Sequence, residues 1–147
     1  MIGIEHLHSA LRWVALVLLL VTFLGAIRGG SSFTEGARKR GLFTMIALHI
    51  QLLLGLVLYF LGDNGLSNFD QPDVMKNATL RFFAVEHVMG MVIGIFFGTL
   101  GHTAVKRAKS DASKYRKQAI WFGFALLVIA ASIPWPFRSG FEAYGWF

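Results

Sequence analysis

The sequence predicts an all-α fold, an integral membrane four-helix bundle with both termini on the outer side (N-out/C-out) and two basic loops in the cytoplasm. Three observations predict it. Apolar residues make up 55% of the chain and charged residues only 15%, against about 25% charged in soluble domains. The shortfall is concentrated in four segments that almost lack charge, each close to the roughly 20 apolar residues that a helix needs to cross a bilayer. Ten of the fourteen Lys and Arg residues fall in two short loops between those segments, the asymmetry that orients a multi-pass chain.

The first span is expected at about Leu7 to Ile27. Met1 to Ser9 has no Lys or Arg and contains Glu5. This start is unlike the basic opening of a cleavable signal peptide, so the first helix is expected to be retained. Arg28 to Arg40 follows with four basic residues and one Glu, then a second span at about Leu42 to Leu61. The middle loop, Gly62 to Leu80, sets Asp63, Asp70 and Asp73 against Lys76 and carries the turn formers Gly62, Asp63, Asn64, Gly65 and Pro72. The third span is expected at about Phe82 to Val105, and Lys106 to Lys117 adds six basic residues and one Asp. The fourth, about Ala119 to Ile133, is short, and Pro134-Trp135-Pro136 can carry it through the interface.

The positive-inside rule then places the middle loop outside with the termini. Trp13, Trp135, Phe137, Tyr144 and Trp146 fall toward that outer interface and Trp121 toward the inner one, as aromatic belts do. The whole chain, 1–147, reads as one domain without internal repeats. A net charge of +6 could suggest nucleic acid, but the charge sits at the span ends and no groove-reading motif accompanies it. With no cysteine, disulfides, thiolate metal sites, iron–sulfur clusters and covalent c-type haem are excluded.

Chemistry is carried by the histidines. Of five, His8, His49, His87 and His102 fall in or at the edge of spans, where an imidazole costs a few kcal/mol unless bonded or ligated. His87 and His102 are fifteen residues apart, about 22 Å along one helix and about 60° apart around it. Gly90, Gly94, Gly98 and Gly101 run between them on nearly the same face. Two uses are open for this stripe: close packing against a neighbouring helix, or room for a flat macrocycle held by the histidines.

Depth pairs the ligands. His8 lies twenty residues from Arg28, and His87 twenty from Arg107, so both are about 30 Å from the inner boundary. His49 and His102 lie nine and five residues from Arg40 and Arg107, a looser match of about 13 Å against about 8 Å. Zinc asks for four ligands and no spot gathers them. Two imidazoles from facing helices suit haem iron, here non-covalent b-type haem (heme b). One haem is expected at His8 and His87, and a second if His49 and His102 also ligate. Met45, Met89 and Met91 are either alternative axial ligands or packing.

Arg12, Arg81 and Arg138 lie where haem propionates need cations, or else snorkel to headgroups. Glu86 can orient an imidazole or face water, and His6 reads as a surface residue at the mouth. Gln51 and Tyr59 can meet the polar groups of a quinone or bond between helices.

Four blocks carry a resemblance. They are Leu7-His8-Ser9-x-Leu11-Arg12-Trp13, His49-x-Gln51-Leu52-Leu53-x-Gly55-Leu56, Arg81-Phe82-Phe83-x-Val85-Glu86-His87 and Ile133-Pro134-Trp135-Pro136-Phe137-Arg138. Over almost its whole length the chain resembles a family of small membrane proteins of Bacteroidota called cytochrome B. The resemblance implies a four-helix b-type cytochrome of the bacterial inner membrane. Better-known dihaem b cytochromes carry two histidines on each of two helices, whereas here only the third helix does.

The function this predicts is electron transfer by bound haem, between the quinone pool and another redox protein, as a quinol-linked oxidoreductase or an electron-transfer subunit. Its partners are then the lipid bilayer and other membrane or redox subunits or further copies of the chain, with no nucleic acid. The alternative is a haem-free structural or accessory subunit of a larger membrane complex. A transporter has less to rest on, since Glu86 is the one acid in a span and no broken helix pair is present.

Overall fold

The computed structural model describes residues 2–146 and is all-α, with no strand among the described residues. Four long helices make it: α1, Ile2–Arg28; α2, Glu35–Leu61; α3, Ala78–Lys106; and α4, Asp111–Ala131. Short 3-10 turns at Leu66–Asp70 and Glu142–Tyr144 lie in the middle loop and the C-terminal segment. Each helix begins ahead of its apolar stretch, because capping and not hydropathy decides where a helix starts. Thr34 caps α2 by accepting from Ala37 N at 3.1 Å, and Ser110 caps α4 by accepting from Ser113 N at 3.2 Å. Asn77 caps α3 through bonds from Thr79 N and Leu80 N at 3.0 and 3.1 Å. α1 stops at Gly29, whose φ of 60° favours a residue without Cβ.

Three helices, α1, α2 and α3, are long and apolar enough to cross a membrane, where the sequence predicts four. α4 falls short because Lys114, Arg116 and Lys117 occupy its first two turns. The helices are apolar all round: Leu19, Leu48 and Phe122 face inward, while Val17, Leu53, Phe96 and Leu127 face out, each more than half exposed. Such helices do not hide their apolar surface by folding alone.

α1 packs on α2 and α4, and α3 packs on the same two, so α1 and α3 stand diagonally across the bundle. The closest pair is α3 with α4, and the glycines explain it. A Cβ at Gly94 would come within 2.5 Å of Ile129 and one at Gly101 within 2.8 Å of Trp121, while one at Gly90 would strike Ser132. At Gly98 it would meet Leu48 of α2 at 2.9 Å. The stripe is therefore filled by neighbouring helices, and Gly90, Gly94 and Gly98 do not face a macrocycle.

At the end of the bundle carrying the basic loops, Thr22 and Thr44 share a buried hydrogen bond of 2.8 Å between α1 and α2. Gln118 donates to the Ala37 carbonyl at 3.1 Å, in space that Gly41 leaves open. Core packing of Leu19, Leu48, Ile95, Phe122, Ala125 and Ile129 fills the middle. The opposite end, which carries the termini, is hollow.

Candidate functional site

A cavity of about 360 Å³ opens at the termini end, within the range of about 300–1,000 Å³ that small ligands and cofactors occupy. Its mouth lies between Glu5, His6, Asp63 and Asn64, and its floor is the apolar core at Leu19 and Ile95. His8 and His87 face each other across it from the diagonal helices α1 and α3, with ring centroids 6.5 Å apart and planes inclined at 75°. Two imidazoles on opposite sides of one metal, at about 2 Å per bond, hold their centroids a little over about 6 Å apart.

Local sequence holds His87 in place. The segment Phe82–Glu86 is a π-helical turn within α3, so the ring leaves a wide turn flanked by Phe82 and Phe83, with centroids 5.8 and 6.2 Å away. Its Nδ1 donates to the Ser132 carbonyl at 2.7 Å, which leaves Nε2 with a free lone pair. That carbonyl is available because of Pro134-Trp135-Pro136. In a continuing helix the Ser132 and Ala130 carbonyls would accept from residues 136 and 134, but prolines have no N–H to give. The stranded acceptors are taken up by His87 and by Trp135 Nε1, the latter at 2.7 Å on Ala130. Gly90, one turn after His87, lets Ser132 come this close.

His8 is held from α2. Gln51 Nε2 donates to the His8 carbonyl at 2.7 Å and lies 3.2 Å from His8 Nδ1. One turn along, Gly55 leaves room for the ring, since a Cβ there would stand 3.2 Å from His8 Cε1. Arg12, the next turn of α1, also lines the cavity. Its Nη2 donates to the Trp146 carbonyl at 2.7 Å, its Nε is buried without a partner, and no carboxylate pairs with it among the described residues. Tyr144 lines the mouth, and burial pushes its phenol above the ordinary range, so it remains a protonated donor.

Other expected residues stand elsewhere. Arg81 pairs with Glu86 at 2.7 Å across the π-helical turn and donates to Met75, outside the cavity wall. Glu86 is thereby taken up, and the Ser132 carbonyl does the orienting that it could have done. Arg138 closes the end of α4 through the Ala131 and Ile133 carbonyls at 3.3 and 3.2 Å.

His49 and His102 are not brought together as a ring pair. His49 is exposed, bonds the Met45 carbonyl of its own helix at 2.8 Å and reaches Thr99 at 3.5 Å. His102 lines a separate cavity of about 40 Å³ with Arg38, Gly41 and Gln118. Met91 lines the main cavity, whereas Met89 is 54% exposed. Tyr59 is occupied by the Ala84 carbonyl at 3.1 Å.

Two positioning residues escaped the sequence reading of ligands, Gly55 and Ser132. Gly55 shares a face with Gln51 at four-residue spacing, and the prolines two and four residues after Ser132 mark its carbonyl as stranded. Compared with family models, curated proteins and solved structures, the chain matches none.

Proposed function

We propose that the chain is a multi-pass protein of the bacterial inner membrane, N-out/C-out, and that it is a b-type cytochrome holding haem between His8 and His87. It would pass electrons between the quinone pool and another redox protein. The observation that carries this reading is the pair of imidazoles facing across a cavity at a spacing suited to one metal between them. The donor set fits as well. His87 offers a lone pair at Nε2, and Arg12 offers a partly buried guanidinium without a carboxylate partner among the described residues, which suits a propionate. When bound, haem supplies a one-electron couple whose potential follows its axial ligands and their hydrogen bonds.

The protein's own contribution is to hold and to shield. The Ser132 carbonyl keeps the His87 proton on Nδ1, and Gly55 and Gln51 fix the His8 ring. Leu19, Ile95 and Ile129 keep water from the floor, and the mouth opens toward the outer side, where a redox partner can approach. The packed middle and the separation of His49 from His102 favour one haem per chain over two. The apolar outward faces supply the bilayer contact.

The test is a reduced-minus-oxidised visible spectrum of detergent-purified protein, with haem counted per chain. Sharp b-type bands at one haem per chain are expected. They should be lost in His8→Ala and His87→Ala and kept in His49→Ala and His102→Ala. A colourless chain after haem-supplemented expression would end the cytochrome reading and leave the accessory-subunit alternative.

A further inference from the structure

We propose that the small cavity at the basic end is a phosphate site that takes the headgroup of an anionic phospholipid. This site presupposes the membrane reading above and owes nothing to haem. Three helices build the cavity, about 40 Å³ in volume: α2 brings Arg38 and Gly41, α3 brings His102 and Lys106, and α4 brings Gln118. Two fixed cations and an imidazole thus meet at one point from separate parts of the chain. Like charges gathered in this way repel each other, and the positive focus they create is relieved by an anion.

Each donor has something left to give. Lys106 is exposed, and no carboxylate pairs with it among the described residues. The His102 ring makes no hydrogen bond among the described residues, and either neutral tautomer carries an N–H. Arg38 gives Nε and Nη2 to Glu35 at 2.7 and 2.6 Å, which leaves Nη1 uncommitted. Gln118, 2% exposed, spends one of its two amide hydrogens on the Ala37 carbonyl at 3.1 Å. Gly41 keeps this corner open, since a Cβ there would stand 2.7 Å from Gln118 Nε2. Size then limits the occupant. The cavity has room for one oxygen or a water and not for a whole headgroup. A phosphate would seat one oxygen inside and leave the others at the mouth for Arg38 and Lys106. Basic pockets between helices on the cytoplasmic side of membrane proteins hold headgroups in this manner. Under the proposed orientation this end meets the inner leaflet, and Phe43 and Ile46 of α2, further into the span, are exposed surface that acyl chains can cover.

Native mass spectrometry of the full chain in neutral detergent, titrated with dioleoyl phosphatidylglycerol or dioleoyl phosphatidylcholine, counts the lipids bound. The wild type should retain one phosphatidylglycerol at concentrations where phosphatidylcholine is not held. Lys106→Gln should weaken that binding about fivefold, the share of one basic residue at an anionic lipid surface. Glu35→Gln frees the whole Arg38 guanidinium and should tighten it. Lys39→Gln removes the same charge one residue from Arg38 but outside the cavity wall, and should leave binding within about twofold of wild type. Equal weakening in Lys39→Gln and Lys106→Gln would describe a diffuse basic surface and overturn the site, as would equal retention of the two lipids. Equilibrium dialysis against labelled inorganic phosphate separates the sources. Phosphate held by the wild type and lost in Lys106→Gln, with no preference for phosphatidylglycerol, would assign the cavity to free phosphate and overturn the lipid. A chain that purifies without detergent ends the membrane reading, and the dialysis then still decides whether the cavity takes phosphate.

Discussion

Ser132 contributes a carbonyl and nothing else to the site, yet the placement of His87 depends on it. The oxygen is left free of a helical partner because residue 136 is proline, so a helix terminator doubles as a device that orients the His87 ring. Pro136→Ala gives the Ser132 carbonyl a competing backbone donor. Haem retention should then fall by about tenfold, the lower end of the loss seen when such a supporting hydrogen bond is removed. Haem titration of the purified variant checks this, with circular dichroism as the control for folding. Arg12 shows the complementary case. Its guanidinium is held to the C-terminal segment through Trp146, and Trp13 donates to the same oxygen at 2.9 Å. The C-terminal segment is thereby held beside the cavity, whose wall includes its Ala143 and Tyr144.

Among the helices, α3 changes character along its length. It starts at an Asn cap, widens to a π-helical turn before His87, and then presents glycines to α4. The glycines predict a gradient. Alanine at Gly94 meets Ile129, and at Gly101 the Cβ of Trp121, both close to the opposing backbone. These substitutions should each cost about 1–3 kcal/mol. Gly98→Ala meets the far end of the Leu48 side chain, which can move, so its cost should be smaller. Gly90→Ala alone should also disturb the haem spectrum, because it displaces Ser132 from His87. Thermal unfolding in detergent, read beside the visible spectrum, separates the two effects.

Depth was legible in the sequence, because basic boundaries at Arg28 and Arg107 act as rulers, and the structure places His8 beside His87. Rotation about each helix axis was less so. That His49 turns outward follows from its bond to Met45 and from packing at Leu48, neither of which a count of residues reveals. The use of the glycines, open between two readings, is decided by which neighbour arrives, a property of α4 and α2 and not of α3. The π-helical turn left no signal in composition or spacing.

For the molecule as a whole, charge is split between its ends. Lys114, Arg116 and Lys117 shorten the apolar part of α4, and they mark the same end as Arg38, Lys39 and Arg40. Under the proposed orientation that end faces the cytoplasm. The chain has no native cysteine, so Gln71→Cys in the middle loop and Lys109→Cys in a basic loop report sidedness directly. In intact cells an impermeant maleimide should label the first and spare the second. Labelling of both positions, or of Lys109→Cys alone, would overturn the orientation.

The diagonal placement of α1 and α3 has a mechanical consequence. His8 and His87 are 87 − 8 = 79 residues apart in the chain, on the two helices that do not otherwise lean on each other. A ligand gripped by both rings, as proposed, would be a cross-brace, closing a long loop between two helices that are otherwise joined through α2 and α4. A covalent link over such a loop restricts the unfolded chain by about 4 kcal/mol. The basic end carries its own fastenings in Thr22–Thr44 and Gln118–Ala37. If the cavity holds haem as proposed, its guest adds a fastening to the hollow end, so emptying the cavity should loosen that half of the molecule more than the basic end.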